Sequence, residues 1–582
     1  MPRQYLVVEE FKAGLDARRL ETAAAPGSLQ VFQNGHINRG GEIEKAKLWK
    51  LSHALPVGTF GLASVNSQLY VFGSGSTPGG MPAGVSYQRL QSPDNDTMTK
   101  VVATDTFSGE IYAVAEYTDV QYHFYDAELV PDWYGGLVRA SHGTLDAVSA
   151  ALAAEINNDP DVTAVSAGSV ITITARVTDT VFTLSATATD GGDFTDETAV
   201  AATTTPASVG VAQISTVTLG GTFDPGDEFS VTINDNVYGS SPVTAEIVTA
   251  VITHKNKMYA GSGVNLLFSV VGDPSLWRDN TVGDVVNTGS GVIDMSAQAS
   301  SEEDITGLGI YQNNLGIFTR NNTQIWSMDA DPAASVQLQV LDHTGTRSPK
   351  TIKSFGDLDV FFLSESGVRS LRARDASNSA SVTDVGTPVD DLIIVAMDAM
   401  TEDQIRDAPA DIEPRDGRYI LPLLGTQYVF TFFPTSKISA WSTYVPGISI
   451  TDFTTVDGRL YGRAGDNIYV LGGDDNAEFT DQEVVVELPY LDAKTIGSWK
   501  AWRGLDVILE GTWDIYVNTN PRFPDEWIKT ARVTRTSVGQ MNLAMQQYSP
   551  VLKFKFVHQE DDTSISAKIS KIIVHYETTW AG

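Results

Sequence analysis

The chain has 582 residues, no cysteine, and 72 acidic against 39 basic side chains, for a formal net charge of −33. That length exceeds a single core and suggests about four domains or sub-domains. The missing thiols exclude disulfides and thiolate metal sites, and the overall acidity lacks the basic footprint of a sequence-specific DNA binder.

The opening residues, MPRQYLVVEEFKAG, carry acid pairs where a signal peptide would be apolar. No apolar run approaches the ~20 residues of a membrane helix. The expectation is a soluble product of a reducing cytoplasm, with no secretion signal and no membrane segment. Residues 1–50 hold eight Lys/Arg against six Asp/Glu, so the start is nearly neutral. Within it, LQVFQNGHINRGGEIEK (29–45) reads as three short strands and two tight turns. Asn34-Gly35 is a two-residue hairpin signal that would set Phe32 opposite Ile37, and Gly40-Gly41 makes the next turn.

From residue 51 a unit recurs: polar turn, strand, turn, strand. Its first strands are QLYVF (68–72), EIYAV (110–114), KMYA (257–260), NLGIF (314–318), DLDVFF (357–362), GRYIL (417–421) and GRLYG (458–462). Partner strands such as TQIWS (323–327), GVRSL (367–371) and NIYVL (467–471) follow. The intervals are about 42, 147, 57, 43, 60 and 41 residues, near the roughly 40–50 residues of a four-stranded propeller blade except for one. The long gap after the second unit fits an insertion. Generic hairpins also alternate, but they do not explain both the period and its break. Packing blades around an axis buries the faces of small sheets and leaves only short edges. Six or seven blades are expected, with Tyr70, Tyr112, Tyr259, Phe361, Tyr419 and Tyr461 packing blade against blade.

Residues 134–243 hold thirteen acids against Arg139 and Arg176. GTLDAVSAALAAEINNDPD (143–161) predicts a helix, with Thr144 as cap, Asp146 at its positive end and an apolar stripe of Leu145, Val148, Leu152 and Ile156. Two hairpin-like stretches, 169–189 and 215–235, complete an α+β module. Thr/Ala-rich segments such as 198–208 read as exposed loops. From about 482 the blade pattern stops, and VVVELPY, LDVILEG, WDIYVN, VLKFKFV and ISKIIVHYE read as a β-sandwich or sheet packing back on the N-terminal meander.

Catalytic motifs are absent: no nucleophile elbow, no zinc-protease helix motif, no Walker loop. The eight His are scattered and read as surface or turn residues. The acidic loops 190–197 and 472–483 suit a hard cation by composition, or are simply solvated. Glu302, Glu303 and Asp304 could supply a glycosidase pair only if a partner lay across a cleft. No catalytic residue, metal site or cofactor is expected.

EFKAGLDARR (10–19) followed by PGSLQVFQNGHINRGGEIEK (26–45) resembles the start of podovirus tail nozzle proteins, also called tail tubular protein B. The GLD-x-RR and N-x-H-I-x-x-GGEIEK elements carry the likeness, which covers about the first 50 residues closely and the β-rich middle by architecture. The resemblance implies a structural virion protein of the tail, made in the host cytoplasm. It implies a hexameric ring beneath a dodecameric adaptor (tail tubular protein A), with separate tail fibres or spikes docking on the tail. Genomic DNA passes through without sequence-specific binding. Under that resemblance Arg18, Arg19, Arg39, Glu42 and Glu44 are candidate contacts to the adaptor or to neighbouring subunits. The bland alternative is that the arginines are exposed and interchangeable. The acidic middle either confers solubility or lines a passage that must not grip a polyanion. The competing functional reading is a virion-associated propeller that binds or hydrolyses host surface glycan. A monomeric bacterial surface-binding propeller is a further one.

The expected fold is therefore mainly β: a β-propeller with an inserted α+β domain, and a platform of strands from the N- and C-terminal segments. The expected order is a platform meander (1–50), first blades (51–133), an inserted acidic domain (134–243), remaining blades (244–481) and a C-terminal β domain of the platform (482–582).

Overall fold

The computed structural model describes residues 4–578, apart from 26, 91–96, 119–121, 126–130, 133–144, 158, 160, 190–196, 222–227, 235, 240–247, 275–289, 297–302, 357–358, 374–379 and 496. Seven small sheets form a closed ring. Their innermost strands are Phe60–Val65, Met98–Phe107, Val248–His254, Ile305–Tyr311, Lys353–Phe355, Asp411–Glu413 and Asp452–Val456, in blades 1 to 7. Each blade touches the next around the circle, Asp411–Glu413 meeting Arg459–Ala464 of blade 7, and blade 7 returns to blade 1. The protein is a seven-bladed β-propeller. The recurring strand seen in the sequence is the second strand of each blade.

Period and packing have one cause. A blade's second strand is buried on both faces, so it carries apolar residues without a strict alternation. Ile111–Ala115 and Leu315–Thr319 are buried without a break. Tyr112, Tyr259 and Phe361 lie in the apolar clusters against the following blade. Tyr70 and Tyr461 flank such clusters. Tyr419 packs backwards instead, 5.6 Å from the Phe361 ring, and its hydroxyl donates to the Thr351 carbonyl at 3.0 Å. Hydroxyls also link neighbouring inner strands: Thr249 to the Ile305 carbonyl at 2.7 Å, Ser354 to Ile310 at 2.7 Å and Ser64 to Thr455 at 2.9 Å.

The ring closes through sequence-distant pairing. Trp49–Ala54 is the outermost strand of blade 7, antiparallel to Asn467–Leu471. Trp49 fills the blade 6–7 core and donates its indole N–H to Gln427 at 3.0 Å.

Between the described strands of blades 2 and 3 lies the inserted module. Helix Leu145–Ile156 packs on two sheets around Val148, Leu152, Ile156, Ile171, Val217 and Phe229. Thr144, the expected cap, lies outside the described residues. Three expectations are corrected here. Val170–Ala175 and Leu184–Thr189 belong to different sheets, so 169–189 is not a hairpin. Likewise Ile214–Gly220 and Glu228–Ile233 fall in different sheets, and 215–235 is no hairpin either. Periodicity reports strands, but not which strand pairs with which. Thr198–Thr205 is not a loop but an edge strand, paired among the described strands with Ile214–Gly220 alone. An edge strand tolerates exposed Thr and Ala because only part of it needs burial.

The two chain ends build the platform. Gln4–Glu9 and Ile43–Lys45 both pair with Lys568–Thr578, and Val31–Gln33 pairs with Val484–Glu487. Two sheets enclose one core that includes Phe32, Ile37, Trp502, Trp513, Phe554 and Ile572. The second sheet runs on without interruption into blade 6, because Val31–Gln33 also meets Ile438–Tyr444. Platform and ring are thus one continuous sheet at blade 6. Helices Asp390–Asp398 and Glu402–Arg406 connect blades 5 and 6; the second starts with Thr401 and Gln404 in a reciprocal capping box.

The Asn34-Gly35 expectation is overturned. Val31–Gln33 and Gly35–Ile37 lie in different sheets, so Phe32 faces Val486 and Ile37 faces Ile43. Asn34 is a corner where the chain crosses the sandwich. Its φ of 56° is left-handed, its side-chain amide donates to the Glu483 carbonyl at 2.8 Å and its Oδ1 accepts from the Val445 N–H at 2.7 Å. A Cβ on Gly35 would stand 2.7 Å from the Phe32 ring. The same local chemistry that suits a two-residue turn suits this crossing. The Gly40-Gly41 turn does form, with Gly41 donating to the Asn38 carbonyl at 2.9 Å.

Candidate functional site

Two places gather charge: the propeller axis and the platform. On the axis, all seven inner strands or the segments beside them line a cavity of about 250 Å³. Lys350 crosses it to Asp452 at 3.1 Å and to the Val101 carbonyl at 3.3 Å. Lys353 approaches Asp411 at 3.9 Å. Asp105 is held by the N–H groups of Thr106 and Thr253, and burial raises its carboxyl above the usual range in spite of them. One end of the axis widens into a mouth of about 620 Å³ beneath residues 400–409. There Lys100 bridges Asp407 at 2.9 Å and Glu116 at 3.2 Å, and buried Arg463 donates to the Gly61 and Gly465 carbonyls. Among these described residues each carboxylate has a cation or a backbone donor. The arrangement holds the inner strands together across the axis and narrows it.

These axial residues escaped the sequence reading. Their only signal is position: Lys100, Asp105, Lys350, Lys353, Asp407, Asp411 and Asp452 lie on an inner strand or on the approach to one, while Glu116 and Arg463 lie near the ends of second strands.

The five sequence-predicted contact residues are not one cluster. Gly14 bridges Trp441 with φ of 62°, and a Cβ there would meet the Trp441 carbonyl at 2.6 Å, which explains the glycine of GLD. The loop that follows exposes Arg18 and Arg19; Arg19 folds back on Asp16, with Nε 3.4 Å from its carboxylate. Arg39 reaches blade 6, donating to the Arg415 carbonyl at 2.8 Å and lying 5.3 Å from the Phe433 ring centre. Glu42 and Glu44 are half-buried and share the Asn38 amide, at 3.0 and 3.2 Å. Glu42 also accepts from Ser570, and Glu44 faces Lys568 at 3.8 Å. The Ser570 and Asn38 hydrogen bonds hold the Glu42 carboxyl below its usual range. Arg18, Arg19 and Arg39 are therefore all exposed, Arg39 while bonded to blade 6, whereas half-buried Glu42 and Glu44 bind within the platform.

Histidines differ from expectation. His36, His254 and His558 are buried, not surface residues. His36 Nδ1 lies 2.9 Å from the Tyr444 hydroxyl, and burial, with Arg418 nearby, keeps the ring well below its ordinary pKa. Glu303 is engaged by a turn, accepting from Thr319 Oγ1 at 2.7 Å and Asn321 N at 3.0 Å; Glu302 lies outside the described residues. So does 190–196 of the first acidic loop. Among the described residues no group of three His, Asp or Glu is placed to hold a metal ion, and no helix is long and apolar enough to cross a membrane.

No protein-family model matches the chain, and no curated protein matches it in sequence. Solved structures similar to it include BamB from Moraxella catarrhalis, at 10% identity over 72% of this chain and 96% of that one, with a TM-score of 0.33. The β-propeller domain of Cps50 (Swd1) from Myceliophteria thermophila matches at 7% identity, over 64% of this chain and 95% of that one, with a TM-score of 0.29. An exo-β-1,3-galactanase from Phanerochaete chrysosporium matches at 10% identity, over 71% and 95%, with a TM-score of 0.20. At such scores none of them bears on what this chain binds or does; the propeller assignment rests on the ring of seven sheets.

Proposed function

We propose that this chain is the repeating subunit of a short-tailed phage tail nozzle, a structural virion protein without catalytic turnover. Six copies form a ring under the adaptor, retain the genome, and conduct it during ejection; fibres or spikes dock outside. The carrying observation is the platform. Both chain ends are interleaved in one sandwich that is continuous with blade 6, so load on the platform passes to the ring through hydrogen-bonded sheet. The propeller axis is crossed by Lys350–Asp452 and narrowed by its neighbours. In this reading the passage is therefore the symmetry axis of the assembled ring.

The acidity then has a mechanism. Duplex DNA presents a charge every ~1.7 Å, and each Lys or Arg contact to phosphate adds salt-dependent affinity. A conduit wall of carboxylates makes no such contacts. Screening limits the repulsion to about 8 Å at physiological salt, so the inserted module acts only where it faces the passage.

Exposed Arg18 and Arg19 are the adaptor-facing pair, suited to charge-assisted contacts. The test is incorporation. Arg18→Glu with Arg19→Glu lowers nozzle attachment to adaptor-bearing heads; wild-type attachment refutes their role. Polysaccharide depolymerisation by the purified chain would instead favour the glycan-cleaving reading, whose substrate would enter the axial mouth.

A further inference from the structure

One rim of the platform is rich in cationic side chains and poor in acids. Acids occur about once in eight residues along the chain, 72 in 582, yet residues 527–559 contain none and carry five basic side chains. This stretch supplies the outermost strand of both platform sheets. Ile528–Val533 ends one beyond Trp513–Asn518, and Leu543–Ser549 ends the other beside Lys500–Glu510. The crossing between them is fixed: Ser537 N donates to the Val507 carbonyl at 2.8 Å, and the Asp506 carboxylate accepts from Met541 N and Asn542 N at 3.0 and 2.9 Å.

Its exposed side chains include cations and apolar groups but no acid. Lys529 and Arg532 are 48% and 63% exposed and share the single carboxylate of Asp514, at 2.7 and 3.8 Å. Arg535 is exposed, as are Ile528 and Val538. Lys553, by contrast, turns inward to Glu21 and Glu487. On the other sheet, exposed Tyr548 stacks on exposed Trp499 with centroids 4.9 Å apart. LAMQQYS, the strand Leu543–Ser549, has neither charge nor proline, the usual devices that keep a sheet edge from pairing.

A complementary surface lies elsewhere on the same chain. Loops 472–483 and 560–564 are joined by the Phe479 N–H to the Thr563 carbonyl at 2.7 Å. They expose Asp474, Asp475, Asp481, Glu483, Asp561 and Asp562. In the shared sheet, strands Lys553–His558 and Trp513–Asn518 separate Val484–Glu487 from the rim strand, a gap of roughly 14 Å at ~4.8 Å per strand. The two surfaces are therefore distinct, and their pairing between copies is head-to-tail, the contact type that generates rings when its rotation closes.

We propose that the rim of residues 527–549 docks onto the acidic loops 472–483 and 560–562 of a second copy of this chain. This rests on the ring-forming reading above and names the surfaces that make the ring. Sedimentation of the full chain tests it with three variants: K529E/R532E/R535E, D474K/D475K/D561K/D562K, and the two sets combined. Near-UV circular dichroism matching wild type establishes that each is folded. The expected result is that each single set raises the dissociation constant of the assembly at least tenfold and that the combined chain reassembles. A rim variant that assembles like wild type overturns the docking while leaving the ring reading intact. So does a combined chain that stays dissociated, or a rim variant whose only loss is binding of a short DNA duplex at low salt. A wild-type chain that is monomeric at every concentration overturns both the docking and the ring.

Discussion

Replacing Asn34 by alanine tests the crossing point of the platform. The side chain is 3% exposed, and its loss removes a donor to the Glu483 carbonyl and an acceptor for the Val445 N–H. Leaving a buried polar group without a partner costs about 1–3 kcal/mol each. Holding alanine at φ of 56° adds about 1 kcal/mol. A small cleft adjoins Asn34 beside Lys47, Tyr444 and Asp481, so water partly replaces the lost amide and the lower end applies. We expect Asn34→Ala to destabilise the platform by about 3 kcal/mol. Asn34→Gly, freed of the left-handed penalty, falls about 1 kcal/mol short of that loss. The assay is urea unfolding followed by tryptophan fluorescence, because Trp441, Trp502 and Trp513 are all buried in this core. A two-residue hairpin turn would instead accept glycine at 34 almost without cost. Equal stability of Asn34→Gly and wild type would refute the corner.

Trp49→Ala removes the indole that closes the ring between blades 6 and 7, and a loss of about 3–5 kcal/mol in propeller stability is expected by chemical denaturation. Phe361→Ala, which empties a position within 6 Å of Tyr419, Phe430 and Phe432, should cost a similar amount, about 3–5 kcal/mol, and expose the blade 5–6 interface to hydrogen exchange. Burial, with Lys255 beside it, lowers the His254 pKa to about 4. A folded value below the unfolded ~6.5 contributes stability above that value, and the contribution is lost as pH falls from about 6.5 towards 4; His254→Gln should flatten this part of a melting-temperature profile. Burial raises the Asp506 carboxyl, but the Asn542, Met541 and His575 hydrogen bonds outweigh it and hold the group below its usual range. Its contribution is present above about pH 3.9 and fades as pH drops further, so Asp506→Asn should remove that acid sensitivity from hydrogen exchange at 541–542.

What was legible in the sequence was local and repeated. The second strand of every blade declares itself because it is buried on both faces and recurs with the blade. Helix Leu145–Ile156 declares itself through a stripe that its core confirms at Val148, Leu152 and Ile156. What was hidden depends on partners far along the chain. Trp49–Ala54 reads as an ordinary strand, and only pairing with Asn467–Leu471 makes it the ring's closure. Asn34-Gly35 looks like a turn because left-handed backbone is common to turns and corners; the carbonyl of Glu483 decides between them. The axial pair Lys350–Asp452 and the buried His36–Tyr444 contact join residues more than one hundred positions apart, and no spacing rule reaches them. The strands Ile528–Val533 and Leu543–Ser549 carry a weak alternation, and neither composition nor periodicity singles out the rim, since other stretches such as 45–93 also lack acids.

Electron microscopy of the purified full chain, alone and bound to adaptor-bearing heads, tests the central claim most directly. The account predicts rings with an open pore on the symmetry axis, the platform against the adaptor and the acidic module of residues 145–239 facing the pore. Single propellers with no pore, or rings whose acidic module lies wholly on the outer surface, would contradict it.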